Sequence, residues 1–314
     1  MISYSFVVPI YNDGYLAREF CIEFETVFKK YLAKDSIHDD VELIFVNDGS
    51  RDQSLDEIKN AANEFSFVKV IELSRNFGQH IALSCGYKYA VGKFVGMLNV
   101  DMEDHPDQIP LLLRLFDTDD YDIVYGLRIK RNTAFLNTLT SKLFNWTLNK
   151  LTGYDTPLNT STLRVMNRKF VDAYNSLSEK SRFIPGLEMW LGFKKGYTPI
   201  VHRKRSKGKS SYNLKKRYLF ALESIISFSD KPLRWITFFG FVISMTGFML
   251  NIFLIIQKLF FINFAPGYTS TISIIIFAGG IQILVTGMAS LYIGRILKEV
   301  QNRPLYIVKN TINF

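Results

Sequence analysis

Cysteine is nearly missing from this chain. Cys21 and Cys85 are the two it has among 314 residues, too few for a disulfide framework, and both stand in apolar segments that read as free, structural thiols of a reduced domain. No internal repeat and no low-complexity tract is present. The first residues run into a strand-like segment, Tyr4 to Pro9, with no basic leader and no long apolar run, so a cleaved signal peptide is not expected. Charge is missing from two long stretches, Trp235 to Gln257 and Thr269 to Gly294. At 1.5 Å per helical residue these reach roughly 35 and 39 Å, enough to cross the apolar core of a bilayer with some tilt. Neither stretch holds an ionisable residue that would mark an ion or substrate path, which argues against a transporter.

What is present fits one α/β domain with a C-terminal addition. Lys231 and Arg234 precede the first uncharged run, and Arg295, Lys298 and Arg303 follow the second. The positive-inside rule therefore places both ends of a two-helix hairpin in the cytoplasm and turns the short connection, with Pro266-Gly267, outward. The expectation is an integral protein of the cytoplasmic membrane whose catalytic domain is cytoplasmic. The net charge of +9 is concentrated: Lys194 to Arg234 carries twelve Lys or Arg against Glu223 and Asp230. A basic stretch leading into a membrane helix meets anionic lipid head groups, and no motif for nucleic acid accompanies it. Gly240, Gly247, Gly279, Gly280 and Gly287 leave room for close helix contacts, including those of a homo-oligomer.

Apolar runs at Ser5–Val8, Val41–Val46, Val68–Leu73, Phe94–Leu98 and Ile123–Tyr125 alternate with helical spacing over Leu16–Tyr31, Ser54–Phe65, Gln79–Val91 and Asp107–Phe116. This alternation predicts a mostly parallel sheet covered by helices. Beyond Arg128 it becomes irregular. Thr133 to Leu151 suits either a membrane surface or an ordinary core-facing helix, and Ser211 to Ser229 reads as an interfacial helix. The organisation expected is a catalytic domain over 1–210, a juxtamembrane amphipathic helix over 211–232, two membrane helices over 233–296 and a tail over 297–314.

Three polar turns follow strand-like runs: Asn47-Asp48-Gly49-Ser50, Ser74-Arg75-Asn76-Phe77-Gly78 and Asn99-Val100-Asp101-Met102-Glu103-Asp104. Parallel strands deliver such turns to the carboxyl edge of the sheet, where open α/β folds bind ligands. Pro9, Tyr11, Asn12 and Asp13 close the first strand at that edge, where a ring and polar groups can hold a nucleotide. Asp48 offers a carboxylate to a base N–H or a ribose hydroxyl, Gly49 permits a positive φ, and Ser50 or Asp52 can cap the next helix. Asn99, Asp101, Glu103 and Asp104 crowd oxygen ligands together, which costs repulsion unless a cation or a basic partner offsets it. Hard oxygen ligands beside a diphosphate suit Mg²⁺ or Mn²⁺, with Asp101 as the direct ligand and Asn99 and Glu103 beside it.

The order of these motifs, followed by Tyr125-Gly126-Leu127-Arg128 and two C-terminal apolar helices, resembles glycosyltransferase family 2, and within it the polyprenyl-phosphate glycosyltransferases. The resemblance runs from about Phe6 to Arg295. It implies a GT-A (Rossmann-like) fold, a nucleotide-diphosphate sugar donor and a polyprenyl-phosphate acceptor. It also implies Pro9, Tyr11, Asp13 and Asp48 near the nucleotide, Asp101 on the metal and Arg128 on the phosphates, whose fork suits a phosphate oxygen. Ser141 and Lys142 fall near the acceptor phosphate of relatives. Ser161-Thr162-Leu163-Arg164 stands where relatives carry Gly-Asp-Phe-Arg, so Arg164 is retained as a catalytic candidate without the acidic neighbour. Arg205, Lys209 and Ser210 belong to a basic Gly-x-Ser-x-Tyr loop able to close over phosphates. The reaction implied is metal-assisted displacement with inversion at the anomeric carbon. The alternatives are transfer to a hydroxyl of a lipid-linked saccharide, for which Asp104 or Glu103 would be the base, and a silent protein that binds nucleotide sugar.

Overall fold

In the computed structural model, residues 2–129, 159–180, 182–203, 231–260 and 267–314 are described. The helix expected over 133–151, the interfacial helix expected over 211–229, and Ser141, Lys142, Arg205, Lys209 and Ser210 lie outside them.

The chain forms two compact units: one of residues 1–216 and 304–314, the other of residues 217–303. The first is built on β1 (Tyr4–Ile10), α1 (Ala17–Leu32), β2 (Val41–Asn47), α2 (Ser54–Glu64), β3 (Val68–Leu73), α3 (Gln79–Tyr89), β4 (Phe94–Met97), α4 (Ile109–Thr118), β5 (Ile123–Arg128), β6 (Thr160–Asn167), α5 (Arg168–Ser176), α6 (Ile184–Trp190) and β7 (Lys195–Ile200). The second holds α7 (Lys231–Phe260) and α8 (Tyr268–Val300), after which β8 (Val308–Ile312) belongs to the first unit again.

One sheet takes the order β7-β5-β6-β4-β1-β2-β3-β8. β3, β2, β1 and β4 pair in parallel, as the apolar runs predicted. Phe6, Val8 and Ile10 of β1 face one way and pack in the cluster of Phe20, Phe24 and Phe28, with the Phe6 and Phe24 rings 5.4 Å apart. Val7 faces the other way onto α3, so closely that a Cβ on Gly86 would lie 2.2 Å from its Cγ1. Helices on both faces make the strands apolar throughout, which is why they read as continuous runs rather than as alternation.

Two elements depart from the sequence reading. Ile123–Tyr125 was expected to extend the parallel run, yet β5 is separated from β4 by β6, which pairs antiparallel with both. Thr160–Asn167 mixes Thr, Ser, Arg and Asn with its apolar residues and so lacks the signature of a buried strand. The last residues, expected as a tail, form β8, antiparallel to β3 and fastened by Lys309 Nζ to Glu72 at 2.5 Å. Pairing there covers an edge that would otherwise present unpaired N–H and C=O groups.

In the second unit, Ala278–Val300 is long and apolar enough to cross a membrane, and Trp235–Gly247 is a shorter apolar stretch within a helix of 30 residues. Phe238, Phe241 and Ile283 are more than 60 % exposed.

Candidate active site

The carboxyl ends of β1, β2 and β4 open into a cavity of about 560 Å³, lined in part by Pro9, Tyr11, Asp13, Asp48, Asn99 and Asp101. Glu103 and Arg128 line it too. β6 runs against β4, so its first residues reach the same edge, while β5 and β7 run with β4 and deliver Arg128 and His202 there. The topology thus gathers residues from positions 9 to 202 on one rim.

The turns are locked to one another. Asn12, at φ 59°, donates its N–H to Ser50 Oγ at 3.1 Å and accepts from the Arg51 N–H at 3.0 Å. Gly49 has φ +65°, and a Cβ there would meet the Arg75 carbonyl carbon at 2.4 Å, so glycine is required twice over. Asp52, not Ser50, accepts from the Ser54 N–H at the start of α2.

Asp48 lines the cavity and also holds a neighbouring loop. Both carboxylate oxygens accept backbone N–H groups, from Phe77 at 2.7 Å and from Gly78 at 2.9 Å. Burial raises its pKa, and these bonds with the Arg75 charge oppose the rise. Asp48 lines the cavity while its first task is to hold the loop that enters α3.

Asn99 bridges two elements: its amide donates to Thr162 Oγ1 at 3.2 Å, and its carbonyl accepts from Gln79 Nε2 at 3.2 Å. Thr162 therefore holds Asn99 at the rim. Asp101 is 8 % exposed, and its Oδ1 accepts from the Glu103 N–H at 3.3 Å across Met102, which sits at φ 54°. That turn aims Asp101 and Glu103 into one cavity with Asn99.

Asp104 is the hub of the rim. It accepts from Arg128 Nη2 at 2.9 Å, Thr162 Oγ1 at 3.1 Å and the Ser161 hydroxyl, and lies 3.1 Å from His202 Nδ1. Burial alone would push its pKa up, yet the Arg128 bond and charge, with Ser161 and His202, hold it below the ordinary carboxylate value. Arg128 spends one nitrogen on this bond, and its Nε is buried without a partner. His202 forms a bridge with Asp104, and the Arg203 N–H donates to the Glu103 carbonyl at 2.8 Å, so the chain leading into the basic loop is fastened beneath the acidic turn.

Arg164 is a correction. It points into the protein, 6 % exposed, and its Nη1 meets Glu188 Oε2 at 2.5 Å. The Tyr125 hydroxyl donates to the same oxygen at 2.9 Å. Burial works against the guanidinium charge and Glu188 outweighs it. Arg164 does not line the cavity; it ties β6 to α6 from within. Sequence reasoning gave no site role to Ser161, Gln79 or His202, and took Thr162 only as the replacement of an acid; Glu188, a lone acid inside an apolar helix, was the available signal that Arg164 has a buried partner.

A mostly parallel sheet covered by helices, with acidic and amide turns at its carboxyl edge, defines a GT-A-like α/β protein. The comparisons agree. Residues 5–174 match glycosyl transferase family 2, and the chain belongs to that family, an enzyme of the glycosyltransferase class. It is 35 % identical over 311 residues to an uncharacterised glycosyltransferase, YkcC, of Bacillus subtilis, covering 99 % of this chain and 94 % of that one. It is 33 % identical over 308 residues to the bactoprenol glucosyl transferase of Shigella phage SfII, covering 98 % and 97 %. Among solved structures it is similar in fold to glucosyl-3-phosphoglycerate synthase from Mycobacterium tuberculosis, in complex with Mn²⁺, uridine diphosphate and phosphoglyceric acid, with a TM-score of 0.52 and 16 % identity over 72 % of this chain and 76 % of that one.

Proposed function

We propose that this protein transfers a sugar from a nucleoside-diphosphate sugar to a polyprenyl phosphate at the cytoplasmic face of a membrane, with inversion at the anomeric carbon. The observation that carries the reading is the convergence of Asp101, Glu103, Asn99 and Arg128 on one cavity at the sheet's carboxyl edge. The relative named for bactoprenol, matched over almost its whole length, supports the acceptor class.

The donor set suits a hard divalent ion, Mg²⁺ or Mn²⁺. Two carboxylates and an amide oxygen are enough, because such ions take their remaining ligands from substrate phosphates and water rather than from an all-protein cage. Among the described residues no group of three His, Cys, Asp or Glu is arranged to hold a metal ion by itself. When bound, the ion would neutralise charge on the departing diphosphate.

The chain's own residues then do three things. Pro9, Tyr11 and Asp13 border the nucleotide end. Arg128, oriented by Asp104, presents its remaining donors to phosphate oxygen. Asp48 fixes the Phe77–Gly78 turn that floors the cavity. An oxygen of the lipid phosphate forms the new bond to the anomeric carbon as the bond to the diphosphate oxygen breaks, and nucleoside diphosphate leaves. The nucleophile is already anionic, so alignment and charge neutralisation are the protein's main contribution. Asp104, the candidate base for a hydroxyl acceptor, has a lowered pKa and is pinned by Arg128, which weighs against that alternative. Arg205, Lys209 and Ser210 would cover the phosphates from the loop that His202 anchors.

Connectivity supports reading the helical unit as a membrane hairpin. The chain leaves the catalytic unit and returns to it as β8, so helices that cross a bilayer must do so an even number of times. With Ala278–Val300 as one crossing, α7 would supply the other.

A thermal-shift panel of nucleoside-diphosphate sugars with and without Mn²⁺ tests the donor side, since a ligand at a hundred times its Kd stabilises by about 2.7 kcal/mol. A shift that needs both sugar nucleotide and metal is expected; no shift with any donor would refute the reading. Acid treatment of the product tests the acceptor, because a sugar phosphodiester is labile and a glycoside far less so.

A further inference from the structure

The donor set proposed above contains one amide, Asn99, and an amide serves a cation only when its oxygen, not its NH₂ group, is turned toward the ion. Which way Asn99 turns is decided by a chain of hydrogen bonds that starts at a fixed charge. Arg128 Nη2 donates to Asp104 Oδ2 at 2.9 Å. Beside this arginine Asp104 carries its charge and offers acceptors alone. Thr162 Oγ1 lies 3.1 Å from the same carboxylate oxygen and 3.2 Å from Asn99 Nδ2. A hydroxyl has a single proton, and a charged acceptor takes it in preference to a neutral one. Thr162 Oγ1 is then left to accept, so the group that Asn99 turns toward it must be the NH₂.

The Asn99 oxygen is thereby turned the other way, where Gln79 Nε2 donates to it at 3.2 Å. A carbonyl oxygen has two lone pairs; Gln79 takes one, and the second remains for a cation. Asn99, Gln79 and Thr162 line the same cavity as Asp101 and Glu103. Thr162 is itself held in place: its carbonyl accepts from Arg164 Nε at 3.1 Å, and the Arg164–Glu188 pair fastens β6 to α6. The reverse orientation of Asn99 would set an N–H against the ion and cost Asp104 the Thr162 proton. We propose that Thr162 is a positioning residue of the donor site, whose hydroxyl, committed to Asp104, orients the Asn99 amide so that its oxygen serves the divalent ion. This role rests on the metal-assisted donor site proposed above and adds what sets the polarity of one of its ligands.

An orienting hydroxyl matters only while residue 99 is an amide, because the two oxygens of a carboxylate are equivalent; a merely structural hydroxyl would matter in either case. Mn²⁺ is titrated into the full chain in a neutral detergent, alone and with uridine or guanosine diphosphate, and the free ion is counted by electron paramagnetic resonance. Thr162→Val, which keeps the shape and branching of the side chain, should weaken Mn²⁺ binding about tenfold. Thr162→Ser, which keeps the hydroxyl, should stay within about threefold of wild type. Added to Asn99→Asp, Thr162→Val should change binding by less than about threefold, a non-additivity that marks coupling between the two side chains. Should Thr162→Val fail to fold, Thr162→Ala takes its place. Equal Mn²⁺ binding by wild type and Thr162→Val, or the same loss in both backgrounds, overturns the role of Thr162 and leaves the donor site standing. No Mn²⁺ binding by wild type under any of these conditions overturns both.

Discussion

At the scale of single residues, neighbouring carboxylates are given different work by their surroundings. Asp104 is saturated with donors, Asp48 is spent on two backbone amides, and Asp101 holds one turn and faces the cavity. Asp101→Asn should therefore lower kcat/KM by about 100-fold or more with little change in melting temperature, the scale seen when one preorganised electrostatic partner is removed. Arg164 predicts the opposite pattern. Arg164→Met strands Glu188 inside the protein and should cost about 3 kcal/mol or more in stability, read by urea denaturation, before any effect on chemistry is measured. His80 supplies a pH dependence. Burial first, and the charge of Arg164 second, lower its pKa to about 4. The folded value lies below the ordinary 6.5, so the stability contributed by the neutral ring is complete above about pH 6.5 and is lost as pH falls toward 4, at up to about 1.4 kcal/mol per unit. Denaturation midpoints measured across that window should flatten in His80→Gln.

At the scale of elements, the central parallel strands and the helices that cover them were legible because each is long, apolar or regularly spaced, and the polar turns at their ends declared themselves by composition. β6 was not legible. It begins at the active-site rim, where Ser161 and Thr162 serve Asp104 and Asn99, so its polar residues answer to the site rather than to a strand pattern. β8 was hidden for a different reason: Val308–Ile312 is a short edge strand, half exposed, with Lys and Asn on its outer positions. Arg128 was placed correctly from sequence at the end of its strand, whereas its partner Asp104 could be recognised only once β5 and the acidic turn were brought together in space. Close packing between elements makes its own prediction. Gly86→Ala would force a methyl to within 2.2 Å of Val7, which should push α3 off β1 and cost about 1–3 kcal/mol, measured as a lower melting temperature. A chain ending at Arg303 should aggregate more readily than the full chain in light-scattering assays, because it uncovers the β3 edge.

At the scale of the whole molecule, a family 2 glycosyltransferase unit is interrupted, late in the chain, by two long apolar helices and closed by a strand that rejoins its sheet. On the proposed function, this connectivity would keep the catalytic unit on one side of any bilayer the helices enter, as transfer from a water-soluble donor to a lipid-borne phosphate requires. The measurement that tests this most directly is transfer of radiolabelled sugar from a panel of nucleoside-diphosphate sugars to undecaprenyl phosphate in mixed micelles with Mn²⁺, comparing wild type with folded Asp101→Asn. An acid-labile lipid-linked sugar formed by wild type and reduced about 100-fold or more in the variant is the predicted result. Equal transfer by the two proteins, or none from any donor, would contradict it.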